Sequence, residues 1–214
     1  MKYRLVIIGV LILQLSCINQ TDKKKPESKD SQTHSALTTS KSDSITNIES
    51  TNMEPQVGYK KYPSEFEYYK DVYSQEKLMP ADDILMLSIT DSLFTKNPEN
   101  ELFYFVVFTK SMIGSDGFYS EALGLSCYNF ITTKSTKFAT HFSSEPKLTE
   151  DDLNNWADYI FGEIQISREN EELEAIMELE AQLIDDIKAS KIEYKELIER
   201  LIAKIKTSHN RTFK

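Results

Sequence analysis

The chain has 214 residues, with 25 Lys and Arg against 34 Asp and Glu for a formal charge of −9, and it contains two cysteines. The acidic balance disfavours nucleic acid as a partner, because that affinity is drawn from basic side chains neutralising phosphates. So few cysteines exclude a disulfide-stapled scaffold, and any core must hold by packing alone.

Met1, Lys2, Tyr3 and Arg4 place two positive charges ahead of an apolar run from Leu5 to Leu15, which Ser16 and Cys17 close. A membrane-spanning helix needs roughly 20 apolar residues and a signal-peptide core about 7 to 15, so residues 1–16 read as a signal peptide. A small residue directly before Cys17 resembles the lipobox of bacterial lipoproteins, in which the cysteine thiol is lipidated and the chain is cut immediately before it. This chain has Gln14 where that family usually has leucine, with Leu13 and Leu15 on either side. The resemblance implies lipidation of Cys17, contact with the membrane through that lipid, and residence in the bacterial cell envelope at the outer membrane. Such a cut removes Lys2 and Arg4, leaving 23 basic against 34 acidic residues, a balance of −11.

Residues 17–57 read as the anchor site followed by a disordered tether. Asn, Gln, Ser, Thr, Lys and Asp dominate, and isolated Ile18, Leu37, Ile45 and Ile48 cannot build a core that offsets chain entropy. About forty such residues form a coil with a root-mean-square span of roughly 30 to 40 Å. Asp43, Ser44 and Ile45 resemble the acidic, hydroxyl, aliphatic motif that Bacteroidetes O-glycosylate on exported proteins, which implies Ser44 as a glycosylation site. An acidic signal for routing to the cell surface is not evident after Cys17, so a periplasm-facing position stays open beside a surface-facing one.

Composition changes near Gly58, and residues 58–214 are long enough for one ordinary domain. Their periodicity predicts an all-α domain of antiparallel helical hairpins, arranged as a bundle or a short αα-superhelix. Helices are expected at 63–77, 80–95, 98–112, 116–132, 134–143, 149–165, 168–188 and 191–207, with Pro63, Pro80, Pro98 and Pro146 at the joints. Asn97 before Pro98 reads as an N-cap, and Ser115 or Asp116 as the cap after the Gly114 turn. Thr149 with Asp152, and Ser190 with Glu193, have capping-box spacing, the second being the better match because it uses Glu. The run from Leu102 to Phe108, and that from Phe161 to Ile166, could each be strands; helix is preferred because two isolated strands scarcely form a stable sheet.

Near the start of this domain, Phe66, Tyr69 and Tyr73 share a helix face and are expected to pack inward, leaving Tyr68 and Tyr59 exposed. Cys127 falls on one face with Tyr119, Ala122, Leu123 and Phe130 and reads as a buried small residue; His141 is the only imidazole placed to pair with it. Trp156 with Leu153, Ile160 and Ile164 reads as a core anchor. In the last hairpin, Leu173, Ile176, Leu183 and Ile187 form one stripe and Tyr194, Ile198, Leu201 and Ile205 the other. Glu169, Glu171, Glu172 and Glu174 complement the dipole at the start of its first helix, and Lys204 and Lys206 at the end of its second.

Phosphate loops, zinc motifs, paired-cysteine metal motifs and nucleophile elbows are absent from the sequence, so no catalytic residue, metal ligand or cofactor is expected. The doublets Asp82–Asp83, Asp151–Asp152 and Asp185–Asp186 point about 100° apart on a helix and do not converge on one substrate. The resulting expectation is a lipid-anchored envelope protein with a non-catalytic helical binding or scaffold domain and a protein partner. Two other classes stay open: a lipoprotein immunity protein that neutralises a rival's toxin, and an enzyme with an unrecognised carboxylate site.

Overall fold

A computed structural model describes residues 59–213, and it is all-α. The described residues form seven helices: α1 (Glu65–Gln75), α2 (Asp83–Ser92), α3 (Glu101–Ser111), α4 (Gly117–Ser144), α5 (Glu150–Ser167), α6 (Glu172–Ile187) and α7 (Ile192–Thr212). Both segments with strand-like composition are helical, lying in α3 and α5. The two helices expected at 116–132 and 134–143 run together as α4, with a kink where Lys134 leaves helical geometry (φ −140°, ψ 34°). The sequence therefore marked the point at which two helical segments meet.

Four long helices make a bundle in which α4 packs on α5 and α6, and α7 on α5 and α6. Short connections make α4–α5 and α6–α7 antiparallel hairpins. Side-chain bonds between the hairpins give the other directions: Gln182 and Asp186 of α6 meet Thr132 and Ser135 of α4, while Asn154 and Asp158 of α5 meet Lys204 and Ser208 of α7. In both pairs the residue numbers rise together, so each hairpin lies parallel to its counterpart. The shorter helices α1, α2 and α3 pack on one another, and α2 and α3 close against α4 and α5.

Aromatic rings join these two groups. Trp156 of α5 is fully buried, stacks on Phe105 of α3 at 5.4 Å and meets Phe130 and Phe138 of α4. Its indole N–H donates to Thr109 Oγ1 at 3.0 Å, which satisfies the one polar atom that burial would otherwise strand. Leu153, Ile160 and Ile164 are buried with it, as their spacing predicts.

The helix starts follow side-chain chemistry, with corrections. Asp116 accepts from the Tyr119 amide at the start of α4, and Thr149 with Asp152 forms a complete capping box on α5. The better sequence match fails: α7 starts after Lys191 with no side-chain cap, and Ser190 lies in the turn before it. Asn97 accepts from the Glu99 amide at 3.1 Å, but it closes a turn at 98–100 and α3 starts only at Glu101. Asp82, not Pro80, opens α2, accepting from the Leu85 amide. Asn170 in left-handed geometry (φ 66°) ends the chain's approach to α6, so Glu169 and Glu171 precede that helix and only Glu172 and Glu174 occupy its first turn.

Four residues differ in burial from expectation. Tyr68 is fully buried and Phe66 is exposed, because α1 turns Tyr68, Tyr69 and Val72 into the core. The Tyr68 hydroxyl donates to Met79 O at 2.9 Å, a bond available only inside the packed α1–α2 corner. Ala122 is half-buried. Leu173 is exposed, its inward place on α6 being taken by Ala175 and Leu179. Lys204 and Lys206 sit within α7, which continues to Thr212, and they bind Glu150 and Glu180 on other helices instead of facing the dipole end.

Candidate functional site

Cys17 and Ser44, the sites that the sequence marks for lipid and glycan, lie outside the described residues. None of the described helices is long and apolar enough to cross a membrane.

Cys127 is fully buried in the core, and burial pushes its thiol well above the ordinary range. No imidazole contributes to that shift. His141 rests on Phe105, with ring centroids 5.2 Å apart, near the Glu101–Lys137 ion pair. The structure thus keeps the two groups in separate roles, and Cys127 lacks the electropositive partner that activates a thiol.

Burial holds His141 below the ordinary imidazole range, partly offset by Glu101 and reinforced by Lys137 and Lys134. In the unfolded chain the same ring binds a proton near pH 6.5, so as pH falls through that value the unfolded state takes up more protons than the folded one. Stability is therefore expected to fall on acidification from about pH 6.5 until the folded ring also protonates. Urea midpoints between pH 7.5 and pH 5 check this, with His141→Gln expected to flatten the slope in that window.

Among the described residues one ion pair is buried. Lys110 on α3 and Asp152 on α5 are only 3% and 1% exposed, and Lys110 Nζ donates to Asp152 Oδ2 at 2.8 Å. The same oxygen accepts from the Thr149 amide at 2.8 Å and its hydroxyl at 2.9 Å, which is the capping box seen from the acid's side. Lys110 also lies 3.4 Å from Glu76, whose other oxygen meets Lys147 at 3.2 Å. Lys147 and Lys110 hold the Glu76 carboxyl below its ordinary range. Glu76 stands in left-handed geometry (φ 54°) just past α1, so this cluster ties the end of α1 and the end of α3 to the start of α5. Asp152 Oδ2 is occupied by structural bonds, and its partner oxygen Oδ1 is buried with no hydrogen-bond partner. Among the described residues no group of three His, Cys, Asp or Glu side chains is placed to hold a metal ion. The other aspartate doublets also split: Asp82 caps α2 while Asp83 begins it, and Asp185 pairs with Lys188 while Asp186 accepts from Ser135.

An exposed surface with both apolar and acidic character lies on α6. Leu173, Met177, Ala181 and Ile184 recur at helical spacing on the outer side of that helix, and all four are exposed. Leu173, Met177 and Ala181 line an open groove of about 650 Å³, together with Asn170, Glu171, Glu172, Glu174, Glu178 and, from α7, His209. Arg168 pairs with Glu171 at 3.1 Å and with Glu178 at 3.0 Å, whereas Glu172 and Glu174 have no ion-pair partner among the described residues. The groove thus has an apolar floor and an acidic rim. Sequence reasoning missed it by assigning Leu173 to the inward stripe. The available signal was the recurrence of apolar residues at 173, 177 and 184, a second stripe beside the buried one.

Comparison with protein-family models, with curated proteins and with solved structures finds no match for the chain.

Proposed function

We propose that this is a lipid-anchored protein of the bacterial cell envelope whose helical domain binds a protein partner without catalysing a reaction. The observation that carries the binding role is the exposed apolar stripe of α6, with Leu173, Met177 and Ile184 about half-exposed on a helix whose other apolar face already serves the core. An apolar patch rimmed by polar groups is the usual mark of a protein interface. The acidic rim supports a second reading of the same kind, in which the partner is a rival's basic toxin that this protein neutralises.

A photo-crosslinking residue placed at Met177 in the native host is expected to give one discrete adduct, absent when the same residue replaces the exposed Glu199 on α7. Identical patterns at the two positions would overturn the binding role for this face.

The anchoring role rests on Cys17. Cys17→Ala should move the protein from the detergent-dependent membrane fraction to a soluble pool, or leave an uncleaved precursor, because the thiol is the proposed attachment point. Unchanged size and unchanged membrane partition would rule lipidation out.

A further inference from the structure

We propose that the α6 groove receives a basic amphipathic helix, one that lays an apolar stripe along Leu173, Met177, Ala181 and Ile184 and sets Lys or Arg against the flanking carboxylates. This inference rests on the binding role proposed above and names the partner's chemistry.

Shape supplies the first half of the argument. The four residues follow one another at intervals of four, four and three, which places them in one narrow stripe along more than three turns of α6. The adjacent stripe of Ala175, Ile176, Leu179, Leu183 and Ile187 is buried against the bundle. A surface helix ordinarily spends one apolar stripe on its own core and fills the rest with polar residues. Here the second stripe has the length and spacing that a partner helix reads through anchors at i, i+3 or i+4, and i+7.

Charge selects the occupant. Glu172 and Glu174 edge the groove with no ion-pair partner among the described residues, and Arg168 meets only Glu171 and Glu178. An approaching helix with Lys or Arg beside its apolar stripe would complete the carboxylates. A second copy of this chain would bring the same acidic rim, and like charges set opposite each other oppose association. An acidic or neutral helix would cover the apolar floor but leave the rim unanswered.

The test uses the full chain in a zwitterionic detergent and two synthetic amphipathic peptides of equal hydrophobicity, one with Lys and one with Glu flanking a Leu stripe. Fluorescence anisotropy is read against protein-free micelles of the same detergent, which subtracts uptake by micelles. The Lys peptide is expected to bind, to weaken about tenfold or more with Met177→Asp, and to weaken on raising salt, as a rim of exposed charge requires. Glu172→Lys with Glu174→Lys should shift preference toward the Glu peptide. All three positions lie at the surface, and unchanged circular dichroism of each variant secures the comparison.

Equal binding of both peptides, binding indifferent to Met177→Asp, or a dimer that Met177→Asp disperses would each overturn the proposal. If Met177 still crosslinks a partner in cells while the Lys peptide fails, the occupant's chemistry is wrong and the binding role stands. If both fail, the face is not an interface.

Discussion

Asp152→Ala should cost about 3–5 kcal/mol of stability, because it leaves an ammonium buried without its counter-charge. Lys110 is 3% exposed and its shortest ionic contact is the 2.8 Å bond to Asp152; Glu76, at 3.4 Å and 46% exposed, is a weaker substitute. The same substitution removes the side-chain half of the α5 capping box, which adds on the order of 1 kcal/mol. Adding Lys110→Met to Asp152→Ala should recover most of the loss. The pair's own net worth is small, since Asp152 Oδ1 is already buried without a partner and an unmade bond of that kind costs roughly 1–3 kcal/mol. Urea unfolding of the two single variants and the double variant measures the coupling directly. A loss below about 1 kcal/mol for Asp152→Ala would mean that Lys110 reaches Glu76 or water at little cost.

Trp156→Ala should also lose about 3–5 kcal/mol, by a different route. The indole fills the space between α3, α4 and α5, in contact with Phe105, Phe108, Phe130 and Phe138. Five rings meeting at one point cannot collapse easily onto a methyl group, so a cavity remains and its lining forfeits packing contacts. Thr109 Oγ1 loses its indole donor as well. Trp156→Phe keeps most of the volume and should lose clearly less. Equal losses for Ala and Phe would assign the stabilisation to the hydrogen bond instead of the packing.

These two residues differ in how they could be found. Trp156 stands at helical spacing with Leu153, Ile160 and Ile164, so its burial follows from the pattern of α5 alone, and the structure places all four in the core. Lys110 gives no such signal. A lysine near the end of a helix reads as a solvated charge, and only the approach of α5 to α3 converts it into a buried ion. Thr149 and Asp152 were legible as a cap because both partners lie within four residues; that Asp152 also receives Lys110 from 42 positions away was not.

The candidate interface divides in the same way. The apolar residues of α6 are written in the sequence, but a helix with apolar residues on two adjacent faces does not state which face meets the core. Leu173 was placed inward by spacing with Ile176, and it faces outward because the bundle takes Ala175 and Leu179. Tyr68 and Phe66 changed places for a similar reason: the Tyr68 hydroxyl finds Met79 O only after α2 has folded back on α1.

What the amino-acid sequence determined by itself was local: the helical class, the joints at Pro63, Pro80, Pro98 and Pro146, the α5 capping box, the bend near Lys134 and the core role of Trp156. Each depends on residues within a few turns of one another, where period and cap chemistry act directly. Tertiary structure alone decided which of two apolar faces was buried, which lysine became an ion-pair partner inside the core, and that the α6 groove faces solvent between acidic side chains. Those outcomes depend on how helices pack across long sequence separations, and a face's period is the same whether a neighbour or water lies against it.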